Sequence, residues 1–330
     1  RRQRQMCIRD SVGGDFVSAG LNIIPVGGGK DSAVTTELLS GFRNKNMFFT
    51  VNDQPARTQC VLAAGYDESR IIKTYRTIDP NLLELNRRGY LNGHTPFSAI
   101  VAFLSYYCAY LIGAENIALS NESSANEANI GGTGVNHQYS KSYEFEKDFR
   151  DFSDGYFGLP IRYFSLLRPF NEAQIAKKFA ACPQYLKVFR SCNAGSKKNV
   201  WCCNCAKCLF VFIMLSPFVE RGELIEAFGC DMLDKADLLA DFEGLCGFSG
   251  VKPFECVGTA REVCAMLELT LRRFGGGEKP YLLAEYEKRR TPVTSCELRA
   301  LFGEYNEVNS VGSEFLPAVR EMYKYVSAID

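Results

Sequence analysis

Three glycines, a lysine, an aspartate and a serine, Gly27-Gly28-Gly29-Lys30-Asp31-Ser32, directly follow the apolar run Leu21-Asn22-Ile23-Ile24-Pro25-Val26. Glycines lack the Cβ that would keep a backbone from an anion. Asp31 and Ser32 stand where a following helix presents free N–H groups and the positive end of its dipole. That combination suits a pyrophosphate. The Walker pattern does not fit, because Asp and not Ser or Thr follows the lysine. The alternative reading is a glycine-rich strand-to-helix turn with no ligand. A second set of residues with chemistry in its spacing is Cys192, Cys202, Cys205 and Cys208, a C-x9-C-x2-C-x2-C array. Two successive C-x2-C spacings are what a tetrahedral thiolate knuckle requires, so zinc is the expected ion. Closed by four thiolates, it would be structural and not catalytic. Cys203 falls out of that register, and a group of buried free cysteines beside the apolar run 209–215 is the alternative.

To hold the glycine run at a ligand, a strand must end before it and a helix must begin after it. The pattern supplies both: strand 21–26, helix 32–41, strand 47–51, helix and loop 53–65, strand 70–75, a loop through Arg87-Arg88, a long helix after Pro96, and strand 116–120. This alternation predicts an α/β fold with a parallel sheet covered on both faces and ligands at the carboxyl ends of the strands. Three loops meet at that edge: 27–32, the Asn52-Asp53 turn, and 120–127 with Ser120, Asn121 and Glu122. The segment 136–144 is too polar for a core and reads as a substrate loop. Beyond Arg168-Pro169-Phe170 the pattern is helical through the cysteine array to the end, with 274–278 an ordinary inter-helix loop. The expected organisation is a remnant of an upstream region over 1–20, a nucleotide-binding core over 21–170, and a cysteine-bearing helical part over 171–330.

Thirty-eight basic and thirty-eight acidic residues cancel, so no whole-molecule field favours nucleic acid or an anionic membrane. The uncharged stretch 95–114 is about long enough to span a bilayer. It opens on Thr95-Pro96, carries Ser98, Ser105, Tyr106, Tyr107 and Tyr110, and runs straight into a strand pattern. A helix buried against the sheet is expected instead. Fourteen cysteines spread from Cys7 to Cys296 do not make a disulfide scaffold, and a reducing cytoplasm is the expected compartment. The chain opens Arg1-Arg2-Gln3-Arg4-Gln5 with neither an initiator Met nor a signal-type apolar segment, as a piece lacking an upstream region would.

The glycine run resembles the PP-loop, S-G-G-x-D-S, of ATP pyrophosphatases, with Val26 in place of the first serine. The fold this implies is a PP-loop, adenine nucleotide α-hydrolase-like core. A cysteine array of the same kind follows the nucleotide fold in the PP-loop enzymes that make cyano-deazaguanine. Further motifs narrow the match: Asn92-Gly93-His94-Thr95-Pro96, Ser120-Asn121-Glu122-Ser123-Ser124-Ala125-Asn126, Asn136-His137-Gln138-Tyr139-Ser140-Lys141-Ser142 and Lys252-Pro253-Phe254-Glu255-Cys256-Val257-Gly258. Together with the glycine run they resemble the MurL family from about residue 23 to about residue 263. Its members are bacterial enzymes of peptidoglycan synthesis, longer at the amino end, that epimerise the terminal glutamate of UDP-N-acetylmuramoyl-L-alanyl-L-glutamate at the expense of ATP.

What the resemblance implies can be weighed as chemistry. A glutamate α-carboxylate is a poor carbon acid, because loss of the Cα proton puts a second negative charge beside the first. Adenylation removes that obstacle, and closure of the alanyl carbonyl on the acyl-AMP to an oxazolone would acidify Cα further. On this basis Gly27, Gly28, Gly29, Asp31 and Ser32 are expected at pyrophosphate, with Ser120 and Asn121 also at the nucleotide. Lys30 is expected at the charge developing between the α and β phosphates. Glu122 with Asp31 is expected at Mg²⁺; a solvated loop carboxylate is the alternative for Glu122. Lys141 and Arg162 are candidates for the UDP or glutamate anions. His94, His137, Glu255 and Cys256 are candidates for Cα proton transfer, against structural imidazoles and an ordinary buried cysteine. A nucleotide-sugar dipeptide is the expected small-molecule partner, with no nucleic acid or membrane partner. Rivals are an amide ligase that captures the adenylate with an amine, a tRNA-thiolating enzyme, and a nucleotide-binding regulator with a degenerate site. The balanced charge argues against the tRNA enzyme, and the intact Gly-Gly-Gly-Lys-Asp-Ser run against the regulator.

Overall fold

The computed structural model describes residues 16–91, 96–126, 139–249, 253, 255 and 257–329. Its strands are β1 (Leu21–Pro25), β2 (Asn46–Val51), β3 (Ile71–Thr74), β4 (Ala114–Leu119) and β5 (Arg162–Ser165). All pair in parallel, in the order β3-β2-β1-β4-β5. Near-continuous apolar strands follow from burial on both faces. Ile23, Phe49, Ile117 and Tyr163 point into one apolar cluster, and their neighbours Ile24, Phe48, Ala118 and Phe164 into the other. Register is pinned by buried asparagines in the three central strands. The Asn116 side-chain amide donates to Asn22 at 2.9 Å, and Asn22 donates to Asn46 at 3.1 Å. A one-residue slip would break both bonds and turn every apolar side chain to the wrong face.

Helices α1 (Lys30–Leu38) and α2 (Pro55–Ala63) follow β1 and β2 and pack on the Ile24 side. Helix α3 (Pro80–Arg87) follows β3, while α4 (Phe97–Ile112) leads into β4 and α5 (Tyr143–Tyr156) into β5. Ala102, Tyr106 and Ala109 of α4 and Phe149 of α5 cover the Ile23 side. Eight more helices follow: α6 (Glu172–Ala180), α7 (Ala206–Leu215), α8 (Arg221–Phe228), α9 (Leu239–Cys246), α10 (Ala260–Arg273), α11 (Tyr281–Arg289), α12 (Ser295–Phe302) and α13 (Leu316–Ser327). Helix α7 is buried on every side from Cys208 to Leu215 and packs against α6, α9 and α10. They share one continuous apolar cluster with the Ile24 face of the sheet.

Some local expectations change. Residues 80–87 form a helix and not a loop, because Pro80 occupies its first turn and the Asp79 carboxylate accepts the Asn81 N–H at 2.8 Å. Helix α4 is not buried all round. Ala102 and Ala109 meet the sheet, while Phe103, Tyr107 and Leu111 on the outer side are 47, 58 and 60% exposed. No helix among the described residues is long and apolar enough to cross a membrane. Of the polar run 136–144, residues 136–138 lie outside the described residues. The remainder is a helical turn over Tyr139–Lys141 and the start of α5, where the Ser142 hydroxyl caps the Phe145 N–H at 3.1 Å.

Candidate active site

The strand order reverses direction between β1 and β4, and the crevice beyond their carboxyl ends is where open α/β sheets bind ligands. A cavity of about 490 Å³ opens there. Gly27, Gly29, Asp31 and Ser32 line it from the loop after β1, Gln54, Ala56 and Arg57 from the start of α2, and Ser120, Asn121 and Glu122 from the loop after β4. Lys141 joins from the turn before α5. Phe49, Val51, Phe97, Val101 and Leu119 make an apolar part of the wall, and segment 190–208 a polar part. Of the Asn52-Asp53 turn, neither residue lines the cavity. Asn52 adopts a left-handed φ of 61° and accepts the Arg76 N–H at 2.8 Å.

The three glycines do different work. A Cβ on Gly27 would meet nothing within 4 Å, so its absence leaves open space. Gly28 has a φ of +82°, and a Cβ there would lie 3.1 Å from that of Ala56. Its carbonyl accepts the Arg190 N–H at 2.7 Å. Gly29 caps α1 with no side-chain bond to the helix amides, and a Cβ on it would lie 3.1 Å from that of Ser191. The first turn of α1 thus keeps N–H groups for an anion. The Ser32 hydroxyl donates to the Gly29 carbonyl at 3.1 Å, and Thr35 donates to Ser120 at 2.8 Å, tying the loops after β1 and β4 together.

Lys30 does not line the cavity. It is buried at the start of α1, with its ammonium on the Glu172 carboxylate and, at 2.5 Å, on Asp31. Burial works against that charge, but Asp31 and Glu172 outweigh it and hold the lysine above its ordinary range. Burial pushes the Glu172 carboxyl up; Lys30 opposes this, while Asp31, Glu122 and Glu262 reinforce it. One ammonium among four carboxylates cannot neutralise them all.

Glu122 and Lys141 are placed by a residue that motif reading passed over. Arg168 is wholly buried and donates to the Glu122 carbonyl at 2.6 Å, the Lys141 carbonyl at 2.8 Å and the Glu146 carboxylate at 3.2 Å. It thereby holds two cavity segments against the end of β5. Its only sequence signal is a charged residue inside an apolar run, 164–170.

The ligand atoms of Cys192, Cys202, Cys205 and Cys208 all lie within 4.8 Å of one another. Cys208 Sγ is 3.7 Å from Cys202 Sγ and 3.5 Å from Cys205 Sγ. Four sulfurs held tetrahedrally at about 2.3 Å from zinc would be about 3.8 Å apart, so the donor set and its spacing fit that ion. The amide of Gly195 donates to Cys192 Sγ at 3.1 Å. The Cys208 thiol first, then the Cys208 amide, the Cys202 thiol and the Lys207 amide, draw the Cys205 thiol down against the opposing effect of burial. Cys203 stands apart, its thiol on the Phe228 carbonyl at 3.2 Å. Cys192 also lines the cavity, so the cluster forms part of its wall.

The remaining candidates are dispersed. Arg162 begins β5, at the opposite edge of the sheet, and pairs with Glu314. That edge carries no strand carboxyl ends, which is why a basic residue near the sheet by sequence is not near the cavity. Glu255 lies beside the cysteine cluster with Oε2 buried and unpartnered. Burial, and the charges of Cys205 and Asp241, push its carboxyl up against the pull of Lys207. It does not line the cavity. His94, His137 and Cys256 lie outside the described residues.

A model of the MurL N-terminal domain matches residues 10–166, and a model of the MurL C-terminal domain matches residues 188–294. A protein of Xanthomonas oryzae pv. oryzae (strain MAFF 311018) named UDP-N-acetyl-alpha-D-muramoyl-L-alanyl-L-glutamate epimerase is 37% identical over 248 residues, 73% of this chain and 54% of that protein. A protein of the same name from Salinispora tropica (strain ATCC BAA-916 / DSM 44818 / JCM 13857 / NBRC 105044 / CNB-440) is 38% identical over 265 residues, 78% of this chain and 57% of that protein. The chain spans about half the length of the curated relatives it matches.

Proposed function

This chain belongs to the MurL family, and from that premise we propose that it epimerises the terminal L-glutamate of UDP-N-acetylmuramoyl-L-alanyl-L-glutamate through an acyl-adenylate. The observation that carries the ATP-dependent part is the cavity itself. An uncapped helix start, open space at Gly27, Asp31, Ser32 and Glu122 meet there at the switch point of a parallel sheet. Amides at the first turn of α1 bind the β and γ phosphates, and the Ser32 hydroxyl stands beside them. Asp31 and Glu122 would hold Mg²⁺, which when bound neutralises phosphate charge. The apolar wall of Phe49, Val51, Phe97, Val101 and Leu119 suits the adenine.

The α-carboxylate oxygen attacks the α phosphorus, and pyrophosphate leaves. Attack of the alanyl carbonyl oxygen on the acyl carbon then expels AMP, with loss of the amide proton, to give an oxazolone. A base takes the Cα proton, a proton returns on the other face, and water opens the ring to the D-isomer. His137, His94 and Cys256 are the candidates for these transfers, since Glu255 does not line the cavity. Lys141, at the cavity rim, faces the substrate anions.

The test is incubation with Mg-ATP and the L,L-substrate in D₂O, reading AMP, pyrophosphate, and the chirality and deuterium content of the glutamate. D-Glutamate deuterated at Cα, formed together with AMP, is the expected result. AMP formed only with an added amine, with the glutamate still L, would point to ligation instead.

A further inference from the structure

If pyrophosphate leaves from this cavity, a cation should face its phosphate end, and Lys30 does not, being locked between Asp31 and Glu172. Four other cationic side chains line the cavity: Arg57, Lys141, Arg190 and Lys207. Arg57 Nη1 is turned to the carbonyls of Val51 and Asn52, and Arg190 Nη1 to those of Lys187 and Phe189. Lys141 enters from the turn before α5, with its backbone carbonyl on Arg168. Lys207 donates to no acceptor among the described residues, although the Glu255 carboxyl feels its charge. It lies between Cys205 and Cys208 in the first turn of α7, and its own amide faces Cys205 Sγ. The segment that carries it packs on the glycine loop through the Arg190 N–H to the Gly28 carbonyl and through Ser191 against Gly29. Lys207 thus shares the polar wall of the cavity with Arg190 and Ser191, the two residues that meet the glycine loop.

We propose that Lys207 is a phosphate-binding residue of this cavity, held in place by the four-thiol cluster, so that the cysteine array builds part of the nucleotide site as well as stabilising the fold. The inference rests on the nucleotide-dependent reading of the cavity. A cation between two knuckle cysteines has its backbone fixed by both. Its side chain therefore reaches the ligand with little loss of freedom beyond its own rotamers.

The test is calorimetric titration of inorganic pyrophosphate, and separately of UDP-N-acetylmuramoyl-L-alanyl-L-glutamate, into the full chain and its Lys207→Met and Lys207→Arg variants, with thermal midpoints measured alongside. Loss of one charge-assisted contact should weaken pyrophosphate binding by about tenfold or more in Lys207→Met. Lys207→Arg should hold within about threefold, with both midpoints unchanged. Equal pyrophosphate affinity in the wild type and Lys207→Met would overturn the proposal alone, as would a loss confined to the UDP-linked ligand. A wild-type protein that neither binds pyrophosphate nor consumes ATP would overturn the nucleotide reading, and the proposal with it.

Discussion

At the residue scale, Lys30 and the glycines before it separate stability from binding. Lys30→Met would leave Glu172 and Asp31 without their cation in a buried site. Removing one partner of a buried pair costs about 3–5 kcal/mol, read by chemical denaturation. The pH dependence follows from the direction in which burial moves Glu172. A carboxyl raised in the folded state binds a proton there that the unfolded chain has already lost, so stability falls as pH rises through that window. Without Lys30 opposing the rise, the deficit of the variant should be greatest above neutral pH and shrink as pH falls toward the ordinary carboxylate range. Gly27→Ala should leave stability within about 0.5 kcal/mol, since a Cβ there meets nothing, yet weaken pyrophosphate binding by filling open space. Gly28→Ala should destabilise by about 1–2 kcal/mol, the cost of a left-handed non-glycine residue, because its φ is +82° and Ala56 crowds the new atom. Equal effects of the two substitutions would contradict this division. The Gly-Lys-Asp-Ser run was legible in the sequence; that its lysine faces inward was not, because its partner Glu172 is 142 residues away.

At the element scale, segment 190–208 joins the cysteine cluster to the cavity wall. Its backbone enters the left-handed region at two non-glycine residues. Asn199 and Cys203 take positive φ, and a Cβ on Gly195 would lie 1.9 Å from the Val200 carbonyl oxygen. Trp201 anchors the segment in the core by stacking on Phe228 at 4.4 Å, and the shape of the turns on either side of it should depend on what the thiols hold. The full chain is expected to carry about one zinc per molecule by atomic emission. Cys208→Ser should lose it and, because a structural site couples metal binding to folding, show a lower thermal midpoint. Its pyrophosphate affinity should fall as well. A variant that loses zinc and keeps both the midpoint and the affinity would show the cluster to be peripheral. The C-x2-C spacing was readable because local geometry dictates it; the neighbour it forms with the glycine loop depends on how α7 is buried.

At the scale of the whole molecule, helices α12 and α13 lie beyond the region matched by the MurL C-terminal domain model, yet they belong to the core. Leu298, Leu301, Phe302, Val319, Met322 and Val326 are buried in the same cluster as Ile24 and Phe164 of the sheet, and Gln174 of α6 donates to the carbonyls of Phe302 and Glu304 at 2.8 Å. Each such side chain is worth about 1.5–3 kcal/mol on burial, and a whole domain's net stability is about 5–15 kcal/mol. Deletion of residues 295–330 should therefore give an unfolded or insoluble chain; a soluble product with a cooperative unfolding transition would refute this. By itself the sequence determined the parallel α/β core, the loop after β1, the loop after β4 and the four-cysteine set, since strand and helix periods, glycine chemistry and C-x2-C spacing act over a few residues. Tertiary structure alone decided that Lys30 turns inward to Glu172, that Arg162 lies at the opposite edge of the sheet, and that Arg168 holds the Glu122 and Lys141 segments. It also brought Lys207 from the cysteine cluster into the cavity. These are contacts between residues far apart in the chain, set by which buried charges must be paired and which faces must be covered, and no local pattern records them.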